Sequence, residues 1–233
     1  MKTIGLIGGM SFESTAEYYR MINEEINNRL GGLHSAECIL YSVDFEIIER
    51  CQSEGRWGDA ADILKRAALL LEQAGADFIL ICTNTMHKVS EYIQKEINIP
   101  VLHIADATAQ VIKEEGIKTA GLLGTKYTME QDFYKGRIKD SGINIIVPDE
   151  ADRELINTII FEELCRGEIK TESKEQYCSV IRRLADRGAE GIILGCTEIG
   201  LLIDQSDSAL PLFDTTEIHA HEAVNYALAN EEI

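Results

Sequence analysis

Two stretches of this chain repeat one another. Gly75-Ala76-Asp77-Phe78-Ile79-Leu80-Ile81-Cys82-Thr83-Asn84-Thr85 returns as Gly188-Ala189-Glu190-Gly191-Ile192-Ile193-Leu194-Gly195-Cys196-Thr197-Glu198, at an offset of 113 residues. Each copy is an apolar run that ends in small polar or sulfur-bearing residues, where open α/β sheets place their chemistry. A second echo precedes the first in both places. Thr3-Ile4-Gly5-Leu6-Ile7-Gly8-Gly9-Met10-Ser11 matches Thr119-Ala120-Gly121-Leu122-Leu123-Gly124-Thr125-Lys126 at an offset of 116. This period is far outside the roughly 20–50 residues of solenoid repeats. The pattern predicts one duplication: two similar halves whose strands persisted while their loops drifted.

Between the echoes, strand-like runs alternate with amphipathic segments, which predicts a mostly parallel sheet in each half. Strands are expected over Thr3–Gly8, Ala36–Val43, Asp77–Cys82 and Pro100–Ile104. In the second half they are expected over Thr119–Leu123, Ile143–Val147, Gly191–Gly195 and Leu210–Phe213. A helix is expected from Ser14, where Ser14 and Glu17 have capping-box spacing, and another over Asp59–Gln73, stopped by Gly75. Further helices are expected over Thr85–Lys95, Glu130–Lys139, Asp152–Arg166, Ser173–Arg187 and Thr216–Ala229. The fold class is therefore α/β: two pseudo-symmetric, Rossmann-like α/β/α halves with the site in the cleft between them. The boundaries expected are 1–115 for the first half, completed by a C-terminal helix over 214–233, and 116–213 for the second.

Charge and cysteine usage exclude several classes of function. With 22 basic and 40 acidic residues the formal charge is −18, unfavourable for nucleic acid or an anionic membrane as partner. No apolar run approaches the ~20 residues of a membrane span, and Met1 to Gly9 is too short and Gly-rich for a signal peptide. The six cysteines show neither a CxxC pair nor zinc-like spacing. A cytoplasmic protein with reduced thiols and no bound metal is the expectation.

Cys196 is the strongest candidate for chemistry, one residue past an apolar strand. A helix N-terminus directly after the strand would lower its pKa toward the thiolate that a base requires. In the first copy Cys82 and Thr83 are adjacent, so in a regular strand only one of them faces the site. The repeat pairs Thr83 with Cys196 and Cys82 with Gly195; a one-residue bulge would reverse the choice and put Cys82 forward. Asn84-Thr85 and Thr197-Glu198 follow the two candidates and suit both helix capping and the cradling of a carboxylate. Gly8-Gly9-Met10-Ser11 and Gly124-Thr125 are strand-to-helix turns but do not form the dinucleotide fingerprint. His219 and His221 lie two apart, so on a helix they do not share a face and do not form a zinc pair. His87 and His103 are placed to reach the site or to support it.

At these residues the chain resembles the aspartate/glutamate racemase family, which works without pyridoxal phosphate. The resemblance rests on Cys82-Thr83-Asn84-Thr85-Met86-His87, on Gly195-Cys196-Thr197-Glu198 and on the opening Ile4-Gly5-Leu6-Ile7-Gly8-Gly9-Met10-Ser11, and it extends over essentially the whole chain. It implies a homodimer, a small dicarboxylic amino acid as substrate and no cofactor. The implied reaction is a two-base proton exchange at Cα, with Cys196 and Thr83 on opposite faces. Met10, Ser11, Gln52, Asn84, Thr85, Thr125, Arg166, Thr197 and Glu198 would contact the substrate, Arg166 holding the distal carboxylate. Most members carry cysteine directly before Asn-Thr; Thr83 in that place matches a branch with a Thr/Cys pair. Other readings on the same scaffold are a maleate- or hydantoin-type isomerase, a decarboxylase, or a small-molecule-binding relative without catalysis.

Overall fold

The computed structural model describes residues 1–229, so the last four residues of the expected 214–233 helix lie outside the described residues. The chain divides into two compact units: Met1–His103 with His219–Ile233, and Ile104–Ile218.

In the first unit, β1 (Ile4–Gly8), β2 (Cys38–Ser42), β3 (Phe78–Ile81) and β4 (Val101–Leu102) form a parallel sheet in the order β2-β1-β3-β4. α1 (Phe12–Leu30), α2 (Phe45–Ser53), α3 (Trp57–Gln73) and α4 (Ser90–Gln94) complete it. Successive strand residues point to opposite faces, so the sheet builds two cores. Ile7, Ile79 and Ile81 pack with α2 and α3 residues such as Ile48, Leu64 and Leu71. Ile4, Leu6, Phe78, Leu80 and Cys82 pack with Tyr18 and Ile22 of α1 and with Ala220, Ala223 and Val224.

The second unit repeats the plan. β5 (Thr119–Gly124), β6 (Asn144–Ile146), β7 (Gly191–Gly195) and β8 (Leu212–Asp214) pair in parallel in the order β6-β5-β7-β8. They carry α5 (Ile104–Glu114), α6 (Lys126–Glu130), α7 (Asp132–Asp140), α8 (Glu150–Glu162) and α9 (Thr171–Asp186). α10 (Thr215–Leu228) begins in this unit and continues into the first at His219.

Register shows how closely the halves correspond. Gly5 lies opposite Ile79, and Gly121 opposite Ile192, the partners that the two sequence offsets predict. A Cβ added at either glycine would come within 2.8 Å of Cδ1 of the facing isoleucine. The acid that opens each repeated strand also does the same work twice. Asp77 accepts from the Thr3 N–H at 2.6 Å, and Glu190 accepts from the N–H groups of Lys118 and Thr119 at 2.7 and 3.0 Å. These bonds hold Glu190 below the usual carboxylate range.

Several local expectations need correction. α1 starts at Phe12 and is capped by Ser11, whose hydroxyl accepts from the Ser14 N–H; Ser14 lies inside the helix, so no capping box forms there. α2, capped by Asp44, and α5, which starts at Ile104 where a strand was expected to end, were not anticipated. The helix expected from Thr85 begins as a 3-10 turn over Thr85–Val89 before the short α4. Among the described residues no helix is long and apolar enough to cross a membrane.

Candidate active site

Each sheet brings its two central strands to a common carboxyl end. In the first unit the Cys82 N–H donates to the Ile7 carbonyl, so the turn Gly8-Gly9-Met10-Ser11 lies next to Cys82-Thr83-Asn84-Thr85. Gly9 takes a φ of +89°, and a Cβ there would sit 2.2 Å from the Val43 carbonyl oxygen. Only glycine fits that turn. Cys82 is fully buried and continues the face of Phe78 and Leu80 into the core. Burial pushes its thiol well up from the ordinary value. Thr83 is partly exposed, while Asn84 and Thr85 are buried. Met10 packs in the core with Ile7 and Ile48, and buried Gln52 points its amide at the Met86 sulfur, 3.2 Å away.

In the second unit the pairing of Gly124 with Gly195 places Thr125 beside Cys196. Thr125 caps α6 through the Thr128 N–H. Cys196 is only 8% exposed, and its thiol donates to Glu198 Oε2 at 2.9 Å; the Thr197 hydroxyl donates to the same oxygen, also at 2.9 Å. Cys165, in the 3-10 turn Leu164–Arg166 after α8, supplies a further hydrogen bond to Glu198. The buried Tyr177 lies in the electrostatic field of Cys196, Cys165 and Glu198, its hydroxyl 3.4 Å from the Ile156 carbonyl.

These surroundings reverse one expectation. No α-helix directly follows β7; the segment Ile199–Leu201 is a single 3-10 turn, too short to supply a helix dipole. Burial, the Glu198 carboxylate and the nearby Cys165 raise the Cys196 pKa well above that of a free thiol, against a smaller opposing pull from the Glu198 backbone N–H. The resting group is a neutral thiol facing a carboxylate.

The structure thus gathers Met10, Ser11, Thr83, Asn84 and Thr85 at one sheet end, with Gln52 against Met86, and Thr125, Cys196, Thr197 and Glu198 at the other. Arg166 joins neither: its side chain is 61% exposed and pairs with Glu162 at 2.7 Å. The side chain of that segment that reaches Glu198 belongs to Cys165, which no sequence signal marked. His219 is fully buried while His221 lies outside, 4.0 Å from Glu25, so the two histidines do face apart. Among the described residues no cluster of His, Cys, Asp or Glu has the geometry to hold a metal ion.

Two matched parallel α/β units, each ending its central strand in a group able to carry a proton, define a duplicated α/β enzyme. The chain belongs to the Asp/Glu/hydantoin racemase family, whose sequence profile matches residues 7–223. The comparisons agree along the whole length. A Yersinia pestis crystal structure assigned as an Asp/Glu racemase shares 56% identity, covering 98% of this chain and all of that one, with a TM-score of 0.91. An aspartate racemase homologue from Pyrococcus horikoshii OT3 shares 38% identity over 97% of this chain and 99% of its own, with a TM-score of 0.85. The broad-specificity amino-acid racemase RacX of Bacillus subtilis is 24% identical over 97% of this chain and 98% of its own length.

Proposed function

We propose that this protein racemises aspartate, glutamate or both without a cofactor, by exchanging the Cα proton between Cys196 and Thr83 acting on opposite faces of the substrate. The observation that carries the reading is the matched placement of the two residues, each two positions past equivalent strand residues, Ile81 followed by Cys82-Thr83 and Leu194 followed by Gly195-Cys196. The burial of Cys82 in the core, where the symmetric position holds Gly195, supports Thr83 as the partner.

The chemistry follows from the surroundings. Loss of the Cys196 proton to Glu198 leaves a thiolate whose raised proton affinity suits it to a weakly acidic Cα–H. The threonine hydroxyl donates a proton to the opposite face as Cys196 takes up the Cα proton, and the proton held on Glu198 returns to the threonine oxygen by way of solvent to reset the pair. The hydroxyl is a poor base, so the two directions differ in kcat and in KM. They cannot differ in kcat/KM, because enantiomers have equal free energy. Asn84, Thr85 and Thr197 are the donors for the α-carboxylate, where negative charge builds in the transition state. With a formal charge of −18, binding of a dicarboxylate rests on such local dipoles rather than on the far field. Exposed Phe12, Tyr19 and Ile47, with Leu40 near Gly8, support self-association into a dimer.

A racemase of wider substrate range is the second reading, favoured by the likeness to the Bacillus subtilis enzyme. Chiral chromatography after incubation with each enantiomer of aspartate, glutamate and a panel of neutral and basic amino acids distinguishes the two. Inversion confined to the acidic pair is expected. Exchange of Cα–H for solvent deuterium without inversion would leave one working base, and neither exchange nor inversion would contradict racemisation.

A further inference from the structure

Behind Thr83 lies a cluster of histidines that the proposed reaction does not use. His87 is buried, and its Nδ1 donates to the Thr83 carbonyl oxygen at 2.8 Å. A carbonyl only accepts, so Nδ1 carries a proton in this arrangement. The His87 ring lies 4.5 Å, centroid to centroid, from that of His103, just past β4, and 5.6 Å from that of His219 in α10. His219 is held at both nitrogens: Nδ1 is 2.9 Å from the Tyr18 hydroxyl, and Nε2 is 3.0 Å from the Leu102 carbonyl oxygen. Since the Leu102 carbonyl accepts from Nε2, Nδ1 accepts from Tyr18. Tyr18 stands edge-on to the same imidazole at 5.7 Å. Three segments distant in sequence thereby converge behind the turn that carries Thr83. The bonds that fix His219 and the His87 bond to Thr83 leave no convergent set of nitrogens for a metal, so the cluster is a mechanical one.

We infer that His87 is a positioning residue for Thr83, holding its backbone so that the hydroxyl points along one fixed direction, and that His103, His219 and Tyr18 form the backing that holds His87. The inference rests on Thr83 acting in catalysis. Threonine is branched at Cβ, so its χ1 is stiff and the direction of Oγ1 follows the backbone of residue 83. Two backbone bonds at this point are local: Thr83 N–H to the Ile81 carbonyl at 2.8 Å and His87 N–H to the Asn84 carbonyl at 3.1 Å. The imidazole ties the Thr83 carbonyl to the buried ring cluster. The duplication supplies an internal contrast. At an offset of 113 His87 becomes Gly200, and at the offset of 111 that relates β4 to β8 His103 becomes Asp214. The cysteine side has no imidazole brace and holds its reactive group through Glu198 instead.

The test compares His87→Asn, whose side-chain amide retains a donor near the place of Nδ1, with His87→Leu, which removes it. Steady-state racemisation of aspartate and glutamate is measured in both directions together with the thermal midpoint. His87→Leu is expected to lower kcat on the order of 10²-fold, as a misplaced reacting group does, with KM changed by less than about threefold. His87→Asn is expected to recover most of that kcat, because rescue follows the donor and not the ring. Equal losses in the two variants, or wild-type kcat in His87→Leu, would overturn the inference. A Thr83→Ala enzyme that racemises like wild type would instead remove the parent reading. Long-range proton–nitrogen NMR of the 15N-histidine-labelled protein gives a readout independent of activity and of how the variants fold. A proton on Nδ1 of His87 with Nε2 bare is expected, and the opposite tautomer would refute the brace.

Discussion

The two sheet ends share strand order and register, yet they surround the two candidate residues, Thr83 and Cys196, in opposite ways. Thr83 is partly exposed and backed by imidazoles, with the His87 ring bonded to its carbonyl. Cys196 is buried beneath a carboxylate that accepts from its thiol and from the Thr197 hydroxyl. In the proposed reaction the Thr83 hydroxyl only donates and needs direction, which is the role inferred for the His87 brace. In the same reaction the Cys196 thiol loses its proton, and the Glu198 carboxylate 2.9 Å away is the acceptor assigned to it. Duplication supplied one scaffold, and the local chemistry then diverged to suit each group.

The contrast can be broken on the cysteine side first. Glu198→Gln removes the proton acceptor, and racemisation is expected to fall on the order of 10²-fold, the usual worth of a positioned acid–base group. Because the carboxylate raises the Cys196 pKa, the same change should lower it and speed alkylation of Cys196 by iodoacetamide near neutral pH. A variant with unchanged turnover and unchanged alkylation would show that the carboxylate is a bystander. Thr83→Cys, which makes the two ends alike, should raise turnover roughly tenfold, since a thiol gives up its proton more readily than a hydroxyl and its thiolate is accessible as a base near neutral pH. Chiral chromatography reads this directly, and a loss of activity would show that the threonine is preferred in this frame.

The smallest effect concerns stability. His219 is held neutral, its pKa pulled down to about 3 by burial and then by the neighbouring His87. In an unfolded chain the value is about 6.5. Between those two values the unfolded chain binds a proton that the folded one refuses. The stabilisation is therefore complete above about pH 6.5 and is lost as the pH falls toward 3, by at most roughly 5 kcal/mol. Urea unfolding of wild type and His219→Gln between pH 7 and 4 should show a shallower slope in the variant. Equal slopes would mean that His219 is not held neutral.

The repeat made the central strands and the pairing of Thr83 with Cys196 legible, because strands at a sheet's centre are apolar runs with a sharp end. The 9-residue α2 escaped notice because it is short. α5 escaped because its first residue, Ile104, reads as the end of the strand before it. What lies beyond both reactive residues was misread as regular helix, since Asn84 and Glu198 suit a 3-10 turn as well as an α-helix start. The direction of the Cys196 pKa depended on burial and on a contact made across a tight turn, neither of which spacing reveals. The histidine brace was invisible for another reason: Tyr18, His87, His103 and His219 meet only after the sheet and α10 are assembled.

The most direct test of the account compares Cys196→Ser, Thr83→Ala and Cys82→Ser in one racemisation assay with both enantiomers of aspartate and glutamate. Cys196→Ser is expected to lose roughly 10³-fold or more and Thr83→Ala on the order of 10²-fold, as the removal of acid–base groups does. Cys82→Ser, altered only in the core, is expected to stay within about threefold of wild type per folded molecule. An inactive Cys82→Ser beside a nearly wild-type Thr83→Ala would contradict the account and assign the second proton to Cys82.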